Sequence, residues 1–372
     1  MVHFSRFRFL LLRPTRQGPM QLTLLVPELI WPEPDDRDTL DALACPALST
    51  LIARSRFVRR PPQSLEATLT DAFDLAEGAP YGAFRLLGED LAPDGVAADA
   101  CWVCADPVHL RFQQDRLILA DSGTFGIEVD EAQVLAGELN RYFPDIGRFH
   151  VATAERWYLQ LAANAHLERL DVPPLSAIAG RRVEQLLPPT PQTARLRQLL
   201  NEAQMVLHGH PANAARESAG RMPINSLWLW GAGALPHGMA STFDGVWSGN
   251  PLALGLGRAA GVPTHAVPGD AAALLASVAP ETSHLVVIED LLGPVQYQDG
   301  DAYRAALLAL EERWFAPLRK ALLAGKITRL RLETSTAYGA LAWESGRSDQ
   351  WKLWRRAQPL AAIAQNLAKG GA

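Results

Sequence analysis

The chain has 372 residues, of which 48% are apolar and 20% charged, and it carries a net charge of −5. That length and apolar share suffice for a large core, arranged as two domains or as one core with an insertion. The charge gives no general reason to expect a nucleic-acid or acidic-membrane partner, three cysteines make no disulfide framework and suit a reducing cytoplasm, and no apolar run reaches the roughly 18–20 residues that span a bilayer.

Residues 1–19 carry Arg6, Arg8, Arg13 and Arg16 and no acid, around a short apolar core at 7–12. This pattern suits a transit or signal segment; because Met20 directly precedes a clean strand pattern at 21–26, the favoured expectation is a disordered extension upstream of the true start. The first strand ends at Pro27-Glu28, a proline-rich acidic loop covers 31–38, and Leu40, Leu43, Leu48, Leu51 and Ile52 give residues 40–54 helical spacing. Residues 101–165 read as a compact α+β unit, with strands at 102–103, 117–120 and 157–159 and a helix at 130–142. A stiff proline-rich linker, 172–191, leads into a helix at about 194–208. Beyond it, strands at 226–230, 284–289 and 327–332 alternate with a glycine-rich helix start at 255–258 and a long amphipathic helix at 302–323. With the first strand, these imply a doubly wound, mostly parallel α/β sheet covered on both faces. The expected organisation is an extension (1–19), a core (20–100 and 207–372), an inserted α+β domain (101–170), and a linker with its helix (171–206).

The most specific stretch is His208-Gly209-His210-Pro211-Ala212-Asn213, followed by Arg216-Glu217, Pro223-Ile224-Asn225 and Ser226-Leu227-Trp228-Leu229-Trp230-Gly231-Ala232-Gly233. A polar turn, a short buried-type strand and a glycine turn form the βα signature of a doubly wound sheet. Order and spacing resemble the segment joining the inserted domain to the core in archaeal-type cofactor-independent phosphoglycerate mutases, within the alkaline phosphatase superfamily. They resemble still more the RpfE-type regulatory branch, which shares the His-Pro-x-Asn and Trp-x-Trp-Gly-x-Gly layout. Cys45-Pro46-Ala47-Leu48 is similar to the family's Thr-Pro-x-Leu helix start, and the 101–165 unit is similar to its inserted domain.

The resemblance implies a serine nucleophile working with two divalent cations, Mn, Mg or Zn, held by carboxylates and imidazoles. Ser64 matches the nucleophile, but Leu65 stands where a metal-binding Asp is expected. Glu28 replaces an Asp ligand and Leu29 the glycine after it. Asp299-Gly300-Asp301 keeps a turn and helix start without the histidine that should precede it. Glu333 stands for Asp, while Thr334 replaces an imidazole. Ligand contacts are implied at Asn225, Gly231, Gly233 and Arg258, although Trp230 replaces a phosphate-binding arginine and Pro251 an acid. Gly231-Ala232-Gly233 is read first as a tight turn and secondarily as a backbone cradle for an anion.

Other constellations are less specific. Cys101 and Cys104 flank Trp102-Val103 and read as strand cysteines before a zinc or redox pair. His208 and His210 lie near a helix end, where one suits capping of the last carbonyls at the helix C-terminus before metal ligation. Trp343, Trp351 and Trp354, interleaved with Arg347, Lys352, Arg355 and Arg356, read as a C-terminal helix packed by tryptophans with a solvated basic face, with contact to a phosphorylated ligand, a nucleic acid or a protein as the alternatives. The expectation is therefore a cytoplasmic, non-catalytic regulatory or ligand-binding protein with a decayed metal site and no cofactor. Glu28, Asp299, Asp301 and Glu333 are the residual metal candidates, the partner is a phosphorylated metabolite or a protein, and neither membrane nor nucleic acid is expected. The alternative is an active mutase converting 3-phosphoglycerate to 2-phosphoglycerate through Ser64 and a rearranged metal site.

Overall fold

A computed structural model describes residues 20–75, 78–89, 99–113, 116–168, 170–179 and 191–370, so the expected extension 1–19 and the linker segment 180–190 lie outside the described residues. In chain order its strands are β1 (Gln21–Leu25), β2 (Arg56–Arg60), β3 (Trp102–Gln113), β4 (Arg116–Ala120), β5 (Gly147–Val151), β6 (Trp157–Leu161), β7 (Ser226–Gly233), β8 (Gly245–Trp247), β9 (Thr264–His265), β10 (Ser283–Val287), β11 (Arg329–Thr336) and β12 (Gly339–Gly346).

Seven strands make the main sheet in the order β2-β12-β11-β1-β10-β8-β9. The run β11, β1, β10, β8, β9 is parallel, and only β12 runs against its neighbours. The expected mostly parallel α/β sheet is thus present. Strand β11 shows why it sits centrally: Leu330 and Leu332 point into a core with Leu22 and Leu24 of β1, while the alternate Arg331 and Glu333 serve the opposite face. On the first face the sheet is covered by the helices Pro46–Arg54, Gly300–Leu310, Ala316–Leu323 and Leu360–Lys369. A π turn at Glu311–Phe315 joins the middle two, and its buried Glu311 carboxylate accepts from the N–H groups of Ala47 (2.6 Å) and Leu48 (3.0 Å), capping the first of these helices.

Several expected elements shift. The helix expected over 40–54 is broken into Arg37–Leu40 and Pro46–Arg54, because Pro46 fits a first helical turn but pushes the preceding residue out of the helical region. The glycines of 255–257 lie inside the helix Pro251–Ala259 rather than at its start. A Cβ on Gly255 would lie 1.7 Å from the Phe84 carbonyl oxygen, so this glycine serves close packing against the helix Tyr81–Gly88. The tryptophan-packed C-terminal helix does not form: Trp343 is buried in β12, residues 348–351 are a short 3-10 turn, and Trp351 and Trp354 are exposed.

The largest correction concerns β7. Sequence placed it in the parallel sheet, but it pairs antiparallel with β3, from Trp102↔Gly233 to Val108↔Ser226. The second sheet is β4-β3-β6-β5 with β7 added on β3, and it includes β5, which has no counterpart in the sequence reading. Leu227, Trp228, Leu229 and Trp230 are buried on both faces of this strand. A two-sided apolar run fits either sheet, and its own pattern does not name its neighbour. Here the neighbour is selected by stitching: the Asn225 side chain accepts from the Leu110 N–H and donates to the Leu110 carbonyl, both at 2.8 Å.

The helix Tyr81–Gly88 packs between the second sheet and the helix Pro251–Ala259 and carries a buried ionic network. Arg85 makes a two-pronged pair with Asp106 (2.9 and 2.5 Å) and a bond to the Tyr158 hydroxyl (3.0 Å), and it lies over the Trp230 ring. The Trp230 indole N–H donates to the same Asp106 (2.8 Å), and Glu89 takes the Tyr158 hydroxyl and the Arg156 guanidinium. Asp106 holds Arg85 charged against the cost of burial.

Candidate functional site

Parallel strands bring their carboxyl ends to one rim, where open α/β sheets place ligands. The residues following β1 and ending β11 meet there with the start of the helix Leu65–Asp71. They enclose a cavity of about 260 Å³ lined by Glu28, Gln63, Ser64, Ser176, Ser335 and Thr336, among others. Ser64 is the helix N-cap, and its Oγ accepts from the Ala67 N–H at 3.1 Å. Leu65, in the place of the expected Asp, is buried in the core.

Glu28 adopts φ +57°, a left-handed conformation that favours glycine, and its N–H donates to the Ser335 carbonyl. Thr334, in the place of an imidazole, spends its Oγ1 accepting the Leu29 N–H (3.1 Å) and so braces the loop after β1.

Two carboxyls near this rim escaped the sequence reading. Glu66 is buried beside the Ser64 turn and accepts from the Ser176 hydroxyl at 2.8 Å. Glu289, just past β10, accepts from Asn250 Nδ2 at 2.8 Å. Burial raises the pKa of both, and the Glu66 charge raises Glu289 further. The available signal for Glu289 was its place at the carboxyl end of a parallel strand; Glu66 gave none beyond an acid in a first helical turn.

The remaining candidates are dispersed. The Glu333 side chain pairs with Arg331 and lines a separate cavity of about 360 Å³ on the sheet face, so it does not join Ser64. Asp299 caps the helix Gly300–Leu310 by accepting the Ala302 N–H (2.9 Å), and Asp301 lies in that helix's first turn, so neither lines the Ser64 cavity. Arg258 donates to the carbonyls of Leu87 (2.9 Å) and Glu89 (3.2 Å), and Asn225 stitches β7 to β3. Gly231 has φ +66°, and a Cβ there would lie 2.7 Å from Tyr81 Cβ; one on Gly233 would lie 2.7 Å from Pro80 Cβ. A side chain at either glycine would collide with the start of the helix Tyr81–Gly88, so both glycines serve close packing of this turn.

The stretch that carries the resemblance is likewise committed to folding. His210 caps the helix Pro211–Ser218 at its N-terminus by accepting from the Ala212 N–H, where the sequence reading had a histidine at a helix C-terminus. Asn213 bridges Leu207 and Ile224 through three bonds of 2.8 Å. Arg216 is fully buried and donates to the Met222, Phe125 and Gly126 carbonyls and to Glu131. Cys101 and Cys104 are free, and burial raises both thiols.

A pair of divalent cations needs several carboxylates or imidazoles converging on one point. Around Ser64 the cavity offers one carboxylate, Glu28, and hydroxyls, while Glu66 and Glu289 are engaged by Ser176 and Asn250. Among the described residues no three His, Cys, Asp or Glu side chains form a group that could hold a metal ion. These residues do not fit a dinuclear centre. No described helix is long and apolar enough to cross a membrane.

No protein-family model matches the chain. It is 27% identical over 219 residues to a 2,3-bisphosphoglycerate-independent phosphoglycerate mutase of Methanosarcina mazei, covering 54% of this chain and 51% of that protein. It is 33% identical over 168 residues to a probable mutase of the same kind from Geobacter sulfurreducens, covering 43% of this chain and 37% of that one. The chain thus spans about half the length, or less, of these curated relatives. Among solved structures, a protein of Pyrococcus horikoshii superposes with a TM-score of 0.54 at 14% identity, covering 94% of this chain and 95% of its own. At that identity the likeness shows the fold alone. The chain resembles phosphoglycerate mutases in sequence over about half its length, and it shares the overall fold of the Pyrococcus horikoshii protein.

Proposed function

We propose that this mutase-like chain binds a ligand at its strand-end site without turning it over, as a cytoplasmic regulatory or ligand-sensing protein of the RpfE type. The carrying observation is the surroundings of Ser64. A serine hydroxyl becomes a competent nucleophile only beside a general base or a cation. Here Ser64 Oγ is an N-cap acceptor, its neighbour is a buried leucine, and the donor set around it does not suit a cation pair. The hydroxyls of Ser64 and Ser335 at the cavity wall suit a hydroxylated ligand, while Ser176, Thr336 and the Gln63 amide are tied to Glu66, Gly339 and Asp71. A phosphorylated metabolite would have to bring its charge to a cavity whose lining includes no Lys or Arg among the described residues.

The second reading, an active mutase, is favoured by one observation: Ser64 and Glu28 do line the same cavity at the sheet rim. Elemental analysis of gently purified protein, run beside a 3-phosphoglycerate to 2-phosphoglycerate assay, separates the two. The proposal expects no stoichiometric divalent metal and no conversion. Two tightly held Mn or Zn ions per chain, with turnover abolished by Ser64→Ala, would establish the enzyme instead.

A further inference from the structure

The segment 347–356 has no place in the strand-end site, and it departs furthest from what its sequence suggested. Trp351, Leu353 and Trp354 are 62%, 65% and 76% exposed, three large apolar side chains within four residues. Around them the segment carries four cations, Arg347, Lys352, Arg355 and Arg356, against one acid, Asp349, in a chain whose total charge is −5. Nothing in the backbone frees these side chains to fold back. Gln350 is buried and bonds the Ser345 hydroxyl (2.8 Å), Arg54 donates to the Gln350 carbonyl (2.6 Å), Asp349 accepts from the Gly346 N–H (2.8 Å), and Arg355 donates to the Ser55 carbonyl (3.0 Å). The loop is pinned where it is, with its apolar groups held in water. Ser55 leads directly into β2, the edge strand of the main sheet, whose Arg56, Phe57 and Val58 are exposed as well.

We propose that this loop docks the protein on the surface of an anionic lipid bilayer. Tryptophan, apolar over most of its ring and polar at its N–H, suits the boundary between headgroups and acyl chains, and adjacent Lys and Arg suit anionic headgroups. Exposure favours a bilayer over a protein: Trp351 ends the 3-10 turn and Leu353 and Trp354 follow it, all three standing in solvent, so a protein partner would have to enclose each of them, whereas a fluid bilayer takes them up without a matching surface. The charge balance agrees: the chain as a whole is acidic, and its affinity for an anionic surface has to come from a local excess of cations. This replaces the expectation that no membrane is involved, which rested on the absence of a spanning segment and on net charge.

The test is co-sedimentation of the full chain with vesicles of phosphatidylcholine, with and without phosphatidylglycerol. Binding is expected only when the anionic lipid is present, and it should weaken as salt shortens the range of the charges. The Trp351→Ala/Trp354→Ala variant should lose about tenfold or more in partitioning, since it removes the buried apolar anchor. Arg347→Gln/Arg356→Gln, at two exposed cations of the segment, should lose about fivefold per cation. Met205→Ser, at an apolar residue 78% exposed elsewhere, should bind like the parent. Because all these side chains are exposed, the melting temperatures should match. Failure of the parent to sediment with anionic vesicles at low salt overturns the proposal, as does undiminished binding by the tryptophan variant. Tryptophan-dependent binding to an acidic polypeptide such as polyglutamate, with no vesicle binding, also overturns it and assigns the loop to an acidic protein.

Discussion

Replacing Gly231 by valine separates a turn from a phosphate cradle. The residue sits at φ +66°, where a non-glycine side chain costs about 1–2 kcal/mol and a β-branched one is a true outlier. Its new Cβ would lie 2.7 Å from Tyr81 Cβ and 3.2 Å from the Gly82 backbone nitrogen, so the start of the helix Tyr81–Gly88 must shift. Overpacking of a fitted core costs about 1–3 kcal/mol more. The helix cannot yield freely, since its far side meets the helix Pro251–Ala259 at Gly88 and Gly255. The combined loss is about 2–5 kcal/mol, which for a chain of 372 residues lowers Tm by about 3–6 °C. Thermal melts and calorimetric titration with 3-phosphoglycerate on the same samples give the answer, with Gly209→Ala as a control, because a Cβ on Gly209 meets nothing within 4 Å. If Gly231→Val melts like the parent yet abolishes a phosphate binding that the parent shows, the turn is a working anion site and the packing argument is refuted.

Three further outcomes are expected. Arg85→Met strands the Asp106 charge in the core and should destabilise by about 3–5 kcal/mol in urea unfolding, whereas Arg85→Met/Asp106→Leu should recover most of the loss; a single variant as stable as the parent contradicts the buried network. Ser64→Ala removes an N-cap and should cost about 0.5–2 kcal/mol with no change in phosphoglycerate turnover, because none is expected in the parent. Burial raises the folded-state pKa of Glu66 and Glu289 above the ordinary 4.5, so each supports folding below that value and loses its support as pH rises through the folded pKa. Glu66→Gln/Glu289→Gln should therefore gain stability relative to the parent as pH rises above the ordinary 4.5, and a difference that stays flat with rising pH speaks against the assignment.

Much of the fold was legible because local chemistry specifies it. The alternation and apolar runs at 21–26, 284–289 and 327–332 describe strands in a sheet covered on both faces, and the structure has β1, β10 and β11 paired in parallel at its centre. The apolar spacing at 302–323 describes a long helix, and it forms as a continuous run through a π turn. The serine that lines the rim cavity was also visible, because a Ser followed by a helical pattern is both an N-cap and a candidate nucleophile.

What sequence alone could not decide was which distant groups meet. Strand β7 has the two-sided apolar character of a parallel core strand, but its neighbour was chosen by β3 and by an Asn225 to Leu110 stitch spanning 115 positions. Glu333 and Ser335 lie two apart on β11, yet the Arg331 side chain draws Glu333 into the cavity on the sheet face, while Ser335 at the strand's end lines the rim. Glu66 and Glu289, more than 200 residues apart, interact near the rim through folding alone. Trp351 and Trp354 followed a helical, packable pattern and were held in solvent by Gln350, Arg54 and Ser55. Periodicity reports how a segment divides between core and water; partner, rim and exposure depend on long-range bonds that no window of the chain contains.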